Sequence, residues 1–390
     1  MQIYPIFIAT APALVPYLQK ELLSLGFSKF LAINAGIKLD GSFSDIMFLN
    51  LNLRCAHHVY LMLNEFKCNN PDELYKNIYS MPWENFIESD GYICVASNVI
   101  NPTIRDSRYA NLKCKDAIVD RLLKTTGSRP DSGSDRNKTV LYLYWKDNYC
   151  SIYLDASGET LSRRNYRKIP LAAPLQEALA AGIILATEWD TKTNFINPMC
   201  GSGTLAIEAV LIALNRAPGI SRENFGFMHT KLFDANIWQE IKHDARQKEN
   251  KKIDAKVIAT DIDEKAIEAS RNNASLADIE KYIEFTECDY PKTNVPDGGG
   301  IVVVNPGYGI RMGEIQELEK LYEGIGDFFK QKCSGYRGYI FSANIPLLKK
   351  VGLRPQKKMV FYNAEIECRL YEYALYAGTK RSSFKDSPRH

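Results

Sequence analysis

At 390 residues, with 45% hydrophobic and 24% charged side chains, the chain is long enough for two or three globular domains, and no stretch of it approaches a membrane span. A formal net charge of +3 neither demands nor excludes a polyanionic partner, so any nucleic-acid argument has to rest on local clusters. Nine scattered cysteines form no C-x-x-C pair and the N-terminus lacks a basic, then apolar leader, which argues against a zinc site, a disulfide framework or secretion and points to a reducing cytoplasm.

In chain order, Ile6–Ala9 reads as a strand, and Leu14, Leu18 and Leu22 recur at helical spacing before Gly26 ends the helix. His57-His58 is an adjacent pair that any regular element points in different directions, which suits structure better than metal ligation. A helix is expected over 111–123, then strands at Val140–Trp145 and Ser151–Leu154, with the Gly/Ser/Pro/Asp-rich 127–135 as a hairpin tip. This first part reads as an α+β module. After about residue 190 strand and helix alternate: Phe195-Ile196, Val257–Ala259, Ile283–Thr286, Ile301–Val304 and Tyr339–Phe341 are the strands of a parallel, doubly wound sheet. Met359–Tyr362 and Glu365–Tyr373, flanking Asn363-Ala364, form an antiparallel hairpin that closes it. Residues 215–252 form a polar, helix-prone insertion.

Chemistry gathers at the carboxyl ends of these strands, where open α/β sheets bind ligands. Gly201-Ser202-Gly203-Thr204-Leu205-Ala206 opens a helix, so its glycines let backbone amides approach a ligand closely. The spacing also satisfies G-x-G-x-x-G/A, and a dinucleotide site stays open on that ground. Asp261 ends the next strand, placed to accept two ribose hydroxyls, and Asp289 ends the third, placed to accept from an adenine amine; either alone equally suits a helix cap. Asn305-Pro306-Gly307-Tyr308 ends the fourth strand. An amide oxygen and a backbone carbonyl there can hold the hydrogens of a planar exocyclic amine while the ring stacks on its base, although a strand that simply turns explains the same residues.

The motifs in sequence resemble one family over almost the whole chain. Ser157–Arg167 is similar to its SGE-LH-RGYR signature, Ala173–Glu177 to APL-E, Asn197–Thr204 to DPMCGSGT, Asp261–Asp263 to DID and Asn305–Gly309 to NPPYG. These are the marks of THUMP-containing bacterial RNA guanine-N2 methyltransferases of the 23S ribosomal RNA type. The resemblance implies a ferredoxin-like part over 1–50, a THUMP RNA-binding domain over 51–158, and a class I, Rossmann-like methyltransferase domain over 159–390. The last would hold a mostly parallel seven-stranded sheet with the antiparallel C-terminal hairpin, and S-adenosylmethionine as cofactor.

Carried over residue by residue, the resemblance puts Pro174 and Leu175 over the cofactor, Asn197, Met199, Cys200, Gly201 and Gly203 beside its methionine end, and Asp261, Ile262 and Asp289 around its adenosine. It makes Asn305, Pro306 and Tyr308 the groups that handle the base, and implies no metal. The chain departs from the family twice: Asn197 stands where the family has Asp, losing a carboxylate, and Gly307 where it has Pro, loosening a loop. Two basic clusters are read as phosphate-tracking, Arg105, Arg108, Lys113 and Lys115 in the first, and Arg163, Arg164, Arg167 and Lys168 with Tyr166 in the second. Ribosomal RNA is the expected partner. The rivals are a transfer RNA guanine-N2 methyltransferase, a catalytically weakened RNA-binding or ribosome-assembly protein of the same fold, and an NAD-dependent dehydrogenase, for which no hydride-accepting site is visible.

Overall fold

The computed structural model describes residues 2–101, 104, 106–167, 175–307 and 315–376. The chain forms two units that are not contiguous in sequence: Met1–Asn165 with Arg216–Glu249, and Tyr166–Asn215 with Asn250–His390.

The first unit is built on one eight-stranded sheet. Its strands are β1 (Tyr4–Ala9), β2 (Leu31–Ile33), β3 (Gly36–Gly41), β4 (His58–Lys67), β5 (Tyr92–Ile100), β6 (Asp131–Ser132), β7 (Thr139–Lys146) and β8 (Tyr149–Asp155), in the order β2-β3-β1-β4-β8-β7-β5-β6. β4 pairs with β1 on one side and β8 on the other, with a register shift between Met62 and Asn64, so the ferredoxin-like and THUMP portions share one sheet. Alternation decides the buried side: Ile6 and Ile8 are sealed, as are Leu141, Leu143 and Trp145. The expected first helix is Val15–Ser24, followed by Gly26 at φ 93°, and the expected 111–123 helix runs over Ser107–Thr126 from an Asp106 cap to left-handed Gly127. Residues 127–135 are not a hairpin tip. They join that helix to β7 and contain β6, which pairs parallel to β5; the loop composition gave no sign of a two-residue strand.

The expected boundary at 158/159 and the assignment of 215–252 to the catalytic domain both differ from this partition. Ser157 Oγ donates to Asn50 Oδ1 at 2.6 Å and Leu161 N to His57 O at 2.8 Å, which holds the segment after β8 on the first unit. The insertion joins it there. Gly219 N donates to Leu51 O and Phe227 N to Ala156 O, each at 2.9 Å, and a Cβ on Gly226 would lie 2.2 Å from the Asp155 carbonyl. The helix Ala235–Gln247 buries Trp238 against Phe225 and Phe227, so an apolar cluster of its own anchors the excursion.

The second unit carries β9 (Asn194–Pro198), β10 (Val257–Asp261), β11 (Ile283–Glu287), β12 (Gly300–Val304), β13 (Tyr336–Ser342), β14 (Lys357–Asn363) and β15 (Ile366–Ala374), ordered β11-β10-β9-β12-β13-β15-β14. β15 runs antiparallel to β13 and β14, and the other pairs are parallel. The near-continuous apolar runs Phe195-Ile196 and Ile301–Val304 are what a central parallel strand buried on both faces requires. The order reverses between β9 and β12, and that crevice is where such sheets place their ligands.

Candidate functional site

β9 ends in Pro198, and the chain then turns through Met199 (φ 54°), Gly201 (φ 55°) and Gly203 (φ 79°) into the helix Thr204–Ala213. Three left-handed residues within five make a tight turn at the N-terminus of a largely buried helix, with Cys200 N donating to Thr260 O and Gly203 N to Cys200 O, each at 2.9 Å. Among the described residues a Cβ on Gly201 would meet nothing within 4 Å, whereas one on Gly203 would lie 3.0 Å from Ser270 Cβ. Gly203 is therefore glycine for packing, and Gly201 faces no neighbour among the described residues.

Polar side chains hold this loop in place. Asp261, at the end of β10, accepts from Gly201 N at 2.9 Å through Oδ2 and from Asp263 N at 3.1 Å through Oδ1. Each carboxylate oxygen keeps a lone pair for a ligand hydroxyl. Ser270 Oγ donates to Gly201 O at 2.6 Å, and Asn273 Nδ2 to Ser202 O at 3.1 Å. Both come from the helix Glu264–Leu276 and both are buried. Sequence reading missed this pair, whose signal was two small polar residues three apart on an otherwise apolar helix face. Ile262, beside Asp261, is 69% exposed, and Asp289 stands exposed after β11. Burial pushes the Cys200 thiol up to about 12, so it is no thiolate nucleophile.

On the other side of the crevice β12 delivers Asn305, half-buried, then buried Pro306 and exposed Gly307. Asn305 Oδ1 is shielded from solvent and accepts no hydrogen bond among the described residues. Asn197, on β9, is wholly buried; its Nδ2 donates to Val303 O at 2.9 Å, and its Oδ1 is likewise shielded without a donor. A buried amide oxygen without a donor costs roughly 1–3 kcal/mol, so these two at adjacent strand ends are candidate acceptors for a donor from outside the described residues. Gly307 lies outside the left-handed region, and a Cβ there would meet nothing within 4 Å among the described residues. Leu175 is buried and its carbonyl takes a hydrogen bond from Arg167 at 2.9 Å. Pro174 and Tyr308 lie outside the described residues.

The second basic cluster needs correction as an RNA-contacting surface. Arg164 is 2% exposed and gives its guanidinium to the Leu161 and Arg54 carbonyls. Tyr166, also 2% exposed, donates to Glu208 at 3.0 Å. Arg167 pairs with buried Glu177 at 2.6 Å. These three side chains are spent on internal acceptors because the segment runs through the interior, which a run of charges in sequence does not reveal. Only Arg163 of the described members faces solvent, 2.7 Å from Glu159, and Lys168 lies outside the described residues. In the first cluster Arg108 is 86% exposed at its side chain, paired with Asp106 of its own helix cap; Lys113 and Lys115 sit on the same helix near Asp72 and Asp116; Arg105 lies outside the described residues.

His58 Nδ1 lies 2.9 Å from Asp155 Oδ2, and burial drives His57 down to about 4. Among the described residues no group of three or more potential ligands could hold a metal ion, and no helix is long and apolar enough to cross a membrane.

Comparison with known proteins covers the chain in three blocks. Residues 5–60 match an RlmL ferredoxin-like domain, 68–155 a THUMP domain, and 164–372 an RMKL-like methyltransferase domain. Among curated relatives, the ribosomal RNA large subunit methyltransferase K/L of Syntrophotalea carbinolica is 36% identical over 378 residues, 94% of this chain and 53% of that protein. The enzyme of the same description from Psychromonas ingrahamii is 36% identical over 376 residues, 95% of this chain and 50% of its own. The chain thus spans about half the length of the curated relatives it matches. A solved structure of a possible methylase from Clostridium difficile 630 is similar at TM-score 0.87 and 28% identity, covering 97% of this chain and 100% of that one. SMU.472, solved as a complex with SAH, shares the fold at TM-score 0.88 and 24% identity, over 97% of this chain and all of its own.

Proposed function

Since the chain belongs to the RMKL-like methyltransferase family, we propose that it transfers a methyl group from S-adenosylmethionine to the exocyclic 2-amino group of a guanosine in large-subunit ribosomal RNA. The observation that carries this reading is the pairing, across the β9–β12 crevice, of a glycine loop with no neighbour at the Gly201 Cβ position and the Asn305 acceptor with no donor, both among the described residues. SMU.472, of the same fold, was solved with SAH, and the tight glycine turn, the spare lone pairs of Asp261 and exposed Ile262 and Asp289 suit that ligand class here. The THUMP match supports an RNA substrate, and nine free cysteines suit the cytoplasm.

S-adenosylmethionine supplies an electrophilic sulfonium methyl. The amine it meets is a poor nucleophile because its lone pair is delocalised into the ring. Asn305 Oδ1 and the Pro306 carbonyl each take one of its hydrogens, turning the lone pair toward the methyl. With S-adenosylmethionine bound, the nitrogen would take the methyl as the S–C bond broke, S-adenosylhomocysteine would be the leaving group, and the displaced proton would pass to water. Orientation of this kind accounts for as much as about 7–11 kcal/mol of barrier in the best intramolecular cases. Tyr308 is assigned to stack on the base, worth about 1–3 kcal/mol. Pro174 and Leu175 are assigned to cover the cofactor.

The experiment is transfer of labelled methyl to total RNA followed by nuclease mapping of the product. Label in N2-methylguanosine of 23S RNA is the expected result. Label in transfer RNA would move the substrate to the rival class, and no label despite calorimetric binding of the cofactor would leave the assembly-protein reading. Binding of NAD in place of S-adenosylmethionine would overturn the methyltransferase reading.

A further inference from the structure

Backbone pairing between β9 and β12 stops at Ile196 and Val302. The next residues are Asn197 and then Pro198, which has no N–H to extend the ladder. At that point the Asn197 side chain takes over: its Nδ2 donates to Val303 O at 2.9 Å, two residues before Asn305, and lies 3.4 Å from Pro198 O. Two carbonyl oxygens beside one amide nitrogen also settle which way the amide faces, since its own oxygen could not sit there.

From this geometry we infer that Asn197 is a positioning residue that fastens the acceptor loop to the cofactor loop, and that amide in place of the family's carboxylate is what lets it do so. Asp would present only acceptors to the Val303 and Pro198 carbonyls while ionised, and has no hydrogen to give either. The departure from the family pattern is then a gain of a strand-end clasp. The replacement leaves an acceptor, Asn197 Oδ1, that would still be available to the methionine end of a bound cofactor. The clasp matters for rate because the glycine loop follows β9 directly and Asn305 follows β12 directly. Their separation would set how far a bound methyl donor stands from the acceptor amine, and small misplacements of such groups cost large factors in rate.

The functional half of this inference rests on the methyl-transfer reading; the structural half does not, and the two are read separately. Asn197→Asp and Asn197→Ala are compared with the parent by amide hydrogen exchange at Val304, Asn305 and Gly307, by calorimetry with S-adenosylmethionine, and by kcat on RNA. Faster exchange at those three amides in both variants, about tenfold or more for loss of one buried hydrogen bond, is the expected result. Parental exchange rates in both overturn the clasp whatever the enzyme's substrate. For Asn197→Asp, which keeps an acceptor, kcat falls about tenfold or more while cofactor affinity stays within twofold. A variant that loses affinity and keeps kcat overturns the positioning role, because the residue then acts on the cofactor alone. Should Asn197→Ala fail to fold, Asn197→Asp alone carries both readouts.

Discussion

Gly201 and Gly203 share a loop and a backbone region, yet a methyl group added to each meets different surroundings. Ala at either costs about 1–2 kcal/mol for the left-handed backbone. At Gly203 the new Cβ also presses on Ser270, so Gly203→Ala lowers thermal stability the more of the two. At Gly201 it enters the space assigned to the cofactor, so Gly201→Ala raises the S-adenosylmethionine Kd about tenfold or more; calorimetry beside a melting curve separates the two effects. Asn305 is tested by the same logic. Asn305→Ala reduces kcat at least about a hundredfold, the range seen on removing one positioned hydrogen-bonding group, while the cofactor Kd stays near the parent's. An active Asn305→Ala variant sinks the assignment.

At the scale of elements, the insertion acts through Arg222. Its guanidinium donates to the Thr160, Arg163, Ser157 and Glu159 carbonyls at 2.7, 3.3, 3.2 and 3.0 Å and lies over Phe225. Burial lowers its pKa to about 10, which leaves it charged at neutral pH. Arg222→Met keeps bulk and strips several carbonyls of their donor, so a loss of about 3 kcal/mol is expected in urea unfolding. His57 gives the same unit an acid limit. Its ordinary value near 6.5 falls to about 4 in the fold through burial, then through His58 and Arg164. The unfolded chain therefore binds the extra proton between those two pH values, so stability is full above about 6.5 and declines as pH drops toward 4, by at most about 3 kcal/mol. Melting His57→Gln against the parent across that range should show a flatter acid limb; parallel curves would assign the acid sensitivity elsewhere.

For the whole molecule, the units are assembled out of chain order. A fragment ending at residue 165 lacks Arg222, Phe225, Phe227 and Trp238, so it should melt broadly or aggregate, whereas supplying 216–249 through a linker should restore a cooperative transition. For RNA, the correction at 163–167 shifts the electrostatic test to side chains that face solvent. Reversing Arg108 and Arg163 together should weaken RNA binding and reduce the salt slope by about two; reversal at Arg164 should instead unfold the segment.

The chain by itself determined a great deal. Four strand-end motifs could be placed in order because a parallel sheet requires apolar runs that stop at its ligand-binding edge, and Asn363-Ala364 marked the closing hairpin, where Ala364 takes φ 53°. Gly201, Gly203, Asp261 and Asn305 were legible for the same reason: each stands at the end of its run. Tertiary structure alone decided which charges are surface. Arg163, Arg164 and Arg167 look alike in sequence, and only the path of the backbone commits two of them to buried carbonyls and to Glu177. It alone revealed that Ser270, Asn273 and Arg222 hold loops distant in sequence, since a hydrogen bond to a backbone carbonyl leaves no pattern in the residue that accepts it. And it alone turned Asn197 from a lost carboxylate into a donor, because the partner that defines its chemistry lies 106 residues away on the neighbouring strand.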